Sequence, residues 1–271
     1  MDTRPIGVFD SGMGGLTAVR RMIRLLPGED IVYFGDTGRV PYGGRSAETI
    51  VRYARQDVAF LRSFDLKAIV IACGTVSTTA LDVLRRENDL PILGVVQPAA
   101  RAAADATRTG RIGVIGTKAT IRSGAYEAGI RVLLPQARLV AQACPLLVPL
   151  VEDGRVRRGD AVTERVVEEY LAPVKAAGVD TLVLGCTHYP LLADVISDYM
   201  GGDVTLIDTG EEAARAAAAL LEERGRLNDP ARAGERRYYA SDSAEDFAAT
   251  AALFLGKDIS GRVERVAIET Y

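Results

Sequence analysis

Tryptophan is absent from the 271 residues, histidine occurs once, as His188, and cysteine only three times, as Cys73, Cys144 and Cys186. Three widely spaced thiols make no disulfide framework, and without a C-x-x-C pair a thioredoxin-like redox motif is excluded too. A zinc site built from the cysteines and His188 fits poorly, because Cys186-Thr187-His188 leaves one intervening residue where structural sites use two or more. Basic charge is not in excess: 33 Lys and Arg stand against 36 Asp and Glu, a net charge of −3. Nucleic acid and anionic lipid are therefore offered no global attracting field. No apolar run approaches the roughly 20 residues that span a bilayer. The segment MDTRPIGVFDSG shows no positive-then-apolar leader, so the expected location is cytoplasmic, with the thiols reduced.

What the sequence does contain is a repeated alternation of apolar runs and amphipathic stretches. Strands are expected at Ile6–Asp10, Asp30–Gly35, Ala68–Cys73, Ile92–Val96, Ile112–Gly116, Leu139–Ala143, Leu182–Cys186 and Val204–Ile207. Helical patterns lie between them, among them Ala47–Phe64, Ile121–Leu134 and Ala161–Ala177. Near-continuous apolar strands alternating with helices indicate an α/β fold whose parallel sheet is covered on both faces. The pattern also repeats. Ile6-Gly7-Val8-Phe9 answers to Ile112-Gly113-Val114-Ile115, Val32 to Val140, and Val40-Pro41 to Val148-Pro149. Ala68–Cys73 answers to Thr181–Cys186, so each half ends an apolar strand on a cysteine. The expectation is two similar doubly wound parallel-sheet domains related by a pseudo-two-fold axis, with the active site in the cleft between them. The first is assigned residues 1–98 plus 208–271, and the second 99–207. After Arg232 the sequence becomes more polar and less periodic.

Sites in parallel α/β sheets form beyond the carboxyl ends of strands. Those ends carry Asp10-Ser11, Cys73-Gly74-Thr75, Thr117 and Cys186-Thr187-His188. Two thiols facing one another across a cleft suit an uncommon kind of chemistry, in which a proton is taken from one face of a carbon and another is returned to the opposite face. Taken singly, each cysteine reads better as a small buried hydrophobe. Small or polar residues follow both, which favours the chemical reading. Asp10-Ser11-Gly12-Met13-Gly14-Gly15 is either an anion-binding turn or a tight turn capped by Asp10. Pro41-Tyr42-Gly43-Gly44 is a loop able to lie close to a ligand. The sole histidine stands two residues from a thiol, and Glu152 closes the apolar run Leu146–Val151 as an exposed helix-end carboxylate.

Several segments together carry a family resemblance: I6-G-V-F-D-S-G-M-G-G15, Y33-F-G-D-T, P41-Y-G, A72-C-G-T75, I115-G-T-K-A-T-I-R-S-G-A-Y126, V148-P-L-V-E152, G185-C-T-H-Y-P190 and D208-T-G-E-E212. On these the chain resembles the aspartate/glutamate racemase superfamily, and within it the branch acting on glutamate, from Ile6 nearly to its end. The resemblance implies that Cys73 and Cys186 are the acid/base pair, working without cofactor or metal. It implies that Asp10 assists the first, and Glu152 and His188 the second. Substrate contacts are implied for Asp10, Ser11, Pro41, Tyr42, Gly43, Gly74, Thr75, Thr117, Thr120, Thr187 and His188. Glutamate is the implied substrate, with D-glutamate passing to peptidoglycan synthesis and a homodimer as the expected assembly. One departure stands out: Gly74 occupies a position where the family usually has asparagine. Gly74 is expected to serve through its backbone N–H and to accept asparagine in its place. Other readings are an aspartate or hydantoin racemase, or a binding protein on this fold. A one-cysteine decarboxylase is disfavoured because both thiols are present.

Overall fold

The structure is a computed structural model describing all residues, Met1–Tyr271. The first part of the chain forms β1 (Ile6–Asp10), α1 (Leu16–Leu25), β2 (Ile31–Gly35), α2 (Ala47–Leu61), β3 (Ala68–Ile71), α3 (Gly74–Thr79), α4 (Leu81–Glu87) and β4 (Ile92–Gly94). Helix α5 (Val96–Ala106) leads to β5 (Arg111–Gly116), α6 (Lys118–Ser123), α7 (Ala125–Leu133), β6 (Arg138–Ala143), α8 (Leu147–Glu152) and α9 (Ala161–Ala176). Then come β7 (Thr181–Leu184), α10 (Ala193–Met200), β8 (Thr205–Asp208), α11 (Thr209–Glu223), β9 (Arg236–Ala240), α12 (Ala244–Leu255) and β10 (Val263–Arg265).

Every strand pairing is parallel, in two sheets ordered β10-β9-β2-β1-β3-β4 and β6-β5-β7-β8. The stretch β2-β1-β3-β4 repeats the order β6-β5-β7-β8, so both sheets reverse direction of growth beside their first strand. Those reversal points, β1/β3 and β5/β7, are where ligands bind in open parallel sheets. The central strands IGVFD, AIVI and TLVL are buried throughout, as strands covered on two faces must be. Edge strand β6 is only half-buried.

The elements differ from the sequence pattern mainly at their ends. The runs 68–73 and 182–186 stop as strands at Ile71 and Leu184, which leaves both cysteines just past the sheet; Cys73 is the N-cap of α3. The helix expected over Ile121–Leu134 is broken at Gly124, whose φ of 63° is left-handed. The polar stretch after Arg232 is not irregular: it supplies β9, α12 and β10. Its outward-facing arginines mask the strand pattern, since Arg236 and Arg237 of β9 are only half-buried while Tyr238, Tyr239 and Ala240 are buried. No helix is long and apolar enough to cross a membrane.

A single apolar cluster of 51 buried residues runs from Ile6 and Leu16 through Val114 and Leu182 to Phe254, so the two sheets share one core. Below the first sheet, Lys67 and Glu29 form a fully buried ion pair. Lys67 Nζ also donates to the carbonyls of Asp2 (2.8 Å) and Arg226 (3.0 Å), and Glu29 Oε1 accepts the N–H of Asn228 at 2.7 Å. The pair thereby fastens the returning chain to the start of the first sheet. Lys67→Met should strand a buried carboxylate and lower the unfolding free energy by ~3–5 kcal/mol, measured by urea denaturation. A loss below about 1 kcal/mol would mean that Glu29 is readily neutralised or rehydrated.

Candidate active site

At the reversal points lies a cavity of about 490 Å³ between the two halves. Of the residues singled out in the sequence, Ser11, Pro41, Tyr42, Gly43, Cys73, Gly74, Thr75, Thr117, Glu152, Cys186, Thr187 and His188 all line it. Asp10 and Thr120 do not; both are buried behind its wall. Gly12, Val40, Gly44, Lys118, Pro145, Val148, Pro149 and Gly185 line it as well. Most of these adjoin residues already singled out, and that contiguity was the available signal. Cys144 is fully buried outside the cavity, its sulfur 3.6 Å from the Gln142 carbonyl. No cluster of three or more His, Cys, Asp or Glu side chains is placed to hold a metal.

On the first side, Cys73 Sγ lies 3.3 Å from the Ser11 hydroxyl. Burial, with the nearby Asp10 charge adding to it, pushes the thiol up to about 12. That shift favours the protonated thiol. Asp10 is itself buried, which raises its carboxyl, while the charge on His188 opposes that rise. Its Oδ2 accepts the Gly12 N–H at 3.0 Å, but its Oδ1 is buried with no partner. The glycine-rich turn therefore folds back on its own aspartate, but Asp10 does not cap α1, whose N-cap is Gly15 with no side-chain bond. A buried carboxylate oxygen left unpaired is costly, and such exceptions concentrate at functional sites.

On the second side, Cys186 Sγ is 3.8 Å from His188 Nδ1, and His188 Nε2 is 2.9 Å from Glu152 Oε1. Burial works against charge on the imidazole. The bonds to Cys186 and Glu152 outweigh it and raise His188 to about 10. Glu152 is half-exposed, as its helix-end position suggests, yet it is engaged rather than free in solvent. The relay Glu152–His188–Cys186 can pass a proton to or from the sulfur. The Phe254 ring stands edge-on to the imidazole at 5.2 Å and fixes its plane from behind.

Between the two sides, hydroxyls and backbone close the seam. Thr75 Oγ1 meets Thr117 Oγ1 at 3.1 Å, and Thr117 in turn donates to Thr120 at 3.0 Å. Thr17 of α1 donates to the Thr187 carbonyl at 3.0 Å. The loop over the cavity holds a cis Val40–Pro41 bond and a tight turn at Tyr42–Gly44. Beneath it the Tyr42 hydroxyl donates to Asp36 and lies 3.3 Å from Asp57, while Arg39 pairs with both carboxylates at 2.6 and 2.9 Å. Burial beside Asp36 drives the Asp57 carboxyl well above its usual range. Asp36 falls within the Y33-F-G-D-T segment but without an assigned role, and Asp57 carries no signal in the sequence; neither touches the cavity.

Gly74 departs from the sequence expectation. Its φ is not left-handed, yet a Cβ there would stand 2.6 Å from the Gly185 carbonyl oxygen. Asparagine is therefore not freely accepted: the backbone of one half occupies the space where its side chain would begin.

A cavity between two duplicated sheets, walled by hydroxyls and entered by a thiol from each, defines a racemase-type site, and the chain belongs to the Asp/Glu/Hydantoin racemase family, which matches residues 6–217. Among its relatives are glutamate racemases. That of Geobacter metallireducens is 45% identical over 269 residues, covering 99% of this chain and 98% of the relative. The crystal structure of a glutamate racemase isoform from Bacillus anthracis superposes with a TM-score of 0.93 at 40% identity, covering 98% of each chain. That of the Francisella tularensis glutamate racemase in complex with D-glutamate gives 0.91 at 37% identity over the whole of both chains.

Two outcomes follow from this geometry. Gly74→Asn should force the halves apart and lower kcat/KM by at least ~10-fold, since a backbone contact near 2.6 Å cannot be relieved by a rotamer. Activity equal to the parent would show that the seam yields freely. The His188 pKa lies above its unfolded value, so its stabilisation is complete below about pH 6.5 and is lost as pH rises through about 10. Glu152→Gln should therefore melt below the parent at neutral pH, with the gap closing above about pH 10 in thermal unfolding scans. A gap independent of pH would place the effect elsewhere.

Proposed function

We propose that this chain interconverts L- and D-glutamate without a cofactor, using Cys73 and Cys186 as a two-base pair on opposite sides of the α-carbon. The observation that carries this reading is the placement of two thiols, from equivalent strand ends, on one enclosed cavity. The α-proton of a free amino acid is very weakly acidic, so its removal needs a base in a closed and electrostatically prepared site. Cys186 takes or gives a proton with His188 as its partner and Glu152 holding the imidazole. Cys73, whose thiol burial keeps protonated, serves the opposite face, with Asp10 opposing a build-up of charge on its sulfur. Racemisation in one direction leaves the two protonation states exchanged, and solvent must restore them.

Substrate carboxylates suit the hydroxyls of Ser11, Thr75, Thr117 and Thr187 and the backbone N–H groups of Gly43 and Gly74. Thr120 orients Thr117, and Pro41 and Tyr42 shape the loop above. Asp10 lies behind the wall, with its unpartnered Oδ1 buried, and acts on the substrate ammonium through the field of its carboxyl and the turn it holds. We further take the chain to divide into domains 1–98 plus 208–271 and 99–207, a reading supported by sheet membership. The proposed setting is cytoplasmic supply of D-glutamate to peptidoglycan synthesis by a homodimer.

Circular dichroism of L-glutamate with the protein alone tests the activity, with L-aspartate run beside it. Optical rotation should decay to zero with glutamate and remain nearly unchanged with aspartate. Cys73→Ser and Cys186→Ser should each lose at least ~100-fold in racemisation, the scale of a positioned acid or base. In D2O, product should carry label at Cα well before recovered substrate does. Full racemisation by either single variant would end the two-base reading.

A further inference from the structure

The cavity wall carries one basic side chain that the chemistry above leaves unused. Lys118 opens α6 directly after Thr117, is exposed, and pairs with no carboxylate of the chain. The only acid on the same wall is Glu152, which is engaged by His188. Beside the cavity, further along the same two segments, is a depression of about 380 Å³. Its lining includes Arg45, from the end of the cleft loop, and Arg122, from α6, with Ser46, Thr79 and Ser123 and no acid at all. Arg45 and Arg122 are likewise exposed and free of ion-pair partners. They come from opposite halves and line one depression, whose Arg45 and Ala119 directly follow Gly44 and Lys118 of the cavity wall.

This placement runs against the net charge of the whole molecule, which is −3. An amino acid bearing two carboxylates and one ammonium also carries net negative charge, so at a distance it is weakly repelled. From these residues we infer that Lys118, Arg45 and Arg122 form a cationic vestibule that captures an anionic substrate at the cleft mouth and delivers it past Lys118 to the thiols. The inference rests on the glutamate reading for the identity of that substrate, but the electrostatic character of the entrance does not. Clefts lined by charge of one sign raise association rates by ~10–10³-fold, and the effect is screened over about 8 Å at physiological salt. The vestibule thus selects for acidic amino acids during entry, before any contact with the catalytic groups.

Two measurements on the full chain test this, one of them independent of racemisation. The first compares alkylation of Cys73 and Cys186 by iodoacetate, an anion, and iodoacetamide, its neutral analogue, followed by peptide mass spectrometry. The ratio of the two rates should fall by at least ~5-fold in Lys118→Glu and in Arg45→Glu/Arg122→Glu. In the parent the ratio should also fall as NaCl is raised from about 20 to about 300 mM, and in the variants that slope should flatten or reverse. The second is kcat/KM for glutamate, expected to drop about tenfold in the same variants with kcat within about twofold, and to recover in Lys118→Arg. If the parent fails to racemise glutamate while the reagent ratio responds as described, the vestibule stands and the substrate assignment falls. A parent that racemises glutamate, with variants unchanged in both the reagent ratio and kcat/KM, overturns the vestibule.

Discussion

The structure depends on how closely two pieces of backbone can approach where its halves meet. Side chains are removed from that seam. A Cβ on Gly14 would collide with Thr187 and His188, and one on Gly74 with the Gly185 carbonyl. Because those atoms are missing, the loop after β1 can nest against the loop after β7. The threonine contacts Thr17–Thr187 and Thr75–Thr117 then come within hydrogen-bond distance. The shared core behind the seam holds the approach in place, so the cavity has a fixed width rather than one set by chance.

Equivalence of topology does not bring equivalence of chemistry. Both cysteines follow the third strand of a four-strand unit, at matching reversal points. One thiol sits beside a buried, half-satisfied carboxylate with a serine hydroxyl as its contact. The other has an imidazole braced by a glutamate and an aromatic edge. The duplicated framework supplies position, and the unlike neighbours supply two different surroundings.

The strands, the repeat and the two thiols are legible in the sequence because buried parallel strands leave apolar runs that no surface function interrupts. The break at Gly124 is not, since a helical apolar stripe continues across it and only the left-handed φ reveals the turn. Nor are β9 and β10, whose half-exposed arginines imitate a surface segment. At the site, residues touching the cavity lie in contiguous motifs and can be read together. The support beneath cannot: Asp57, far along the chain in α2, joins Asp36 under the Tyr42 hydroxyl, Arg39 pairs with both carboxylates, and nothing in their spacing announces it. Gly74 misleads for the same reason, because the atom that forbids a side chain belongs to Gly185, far along the chain.

The buried pair under the first sheet has an implication for the order in which this molecule can be made. Glu29 and Lys67 leave the ribosome early, yet the groups that complete their hydrogen bonding, the Arg226 carbonyl and the Asn228 amide, are translated after all of β5–β8. Strands β9 and β10, which finish the same sheet, come later still. During synthesis the inserted second sheet is therefore complete while the first is still open along one edge and charged underneath. The half that begins the chain is the last to close.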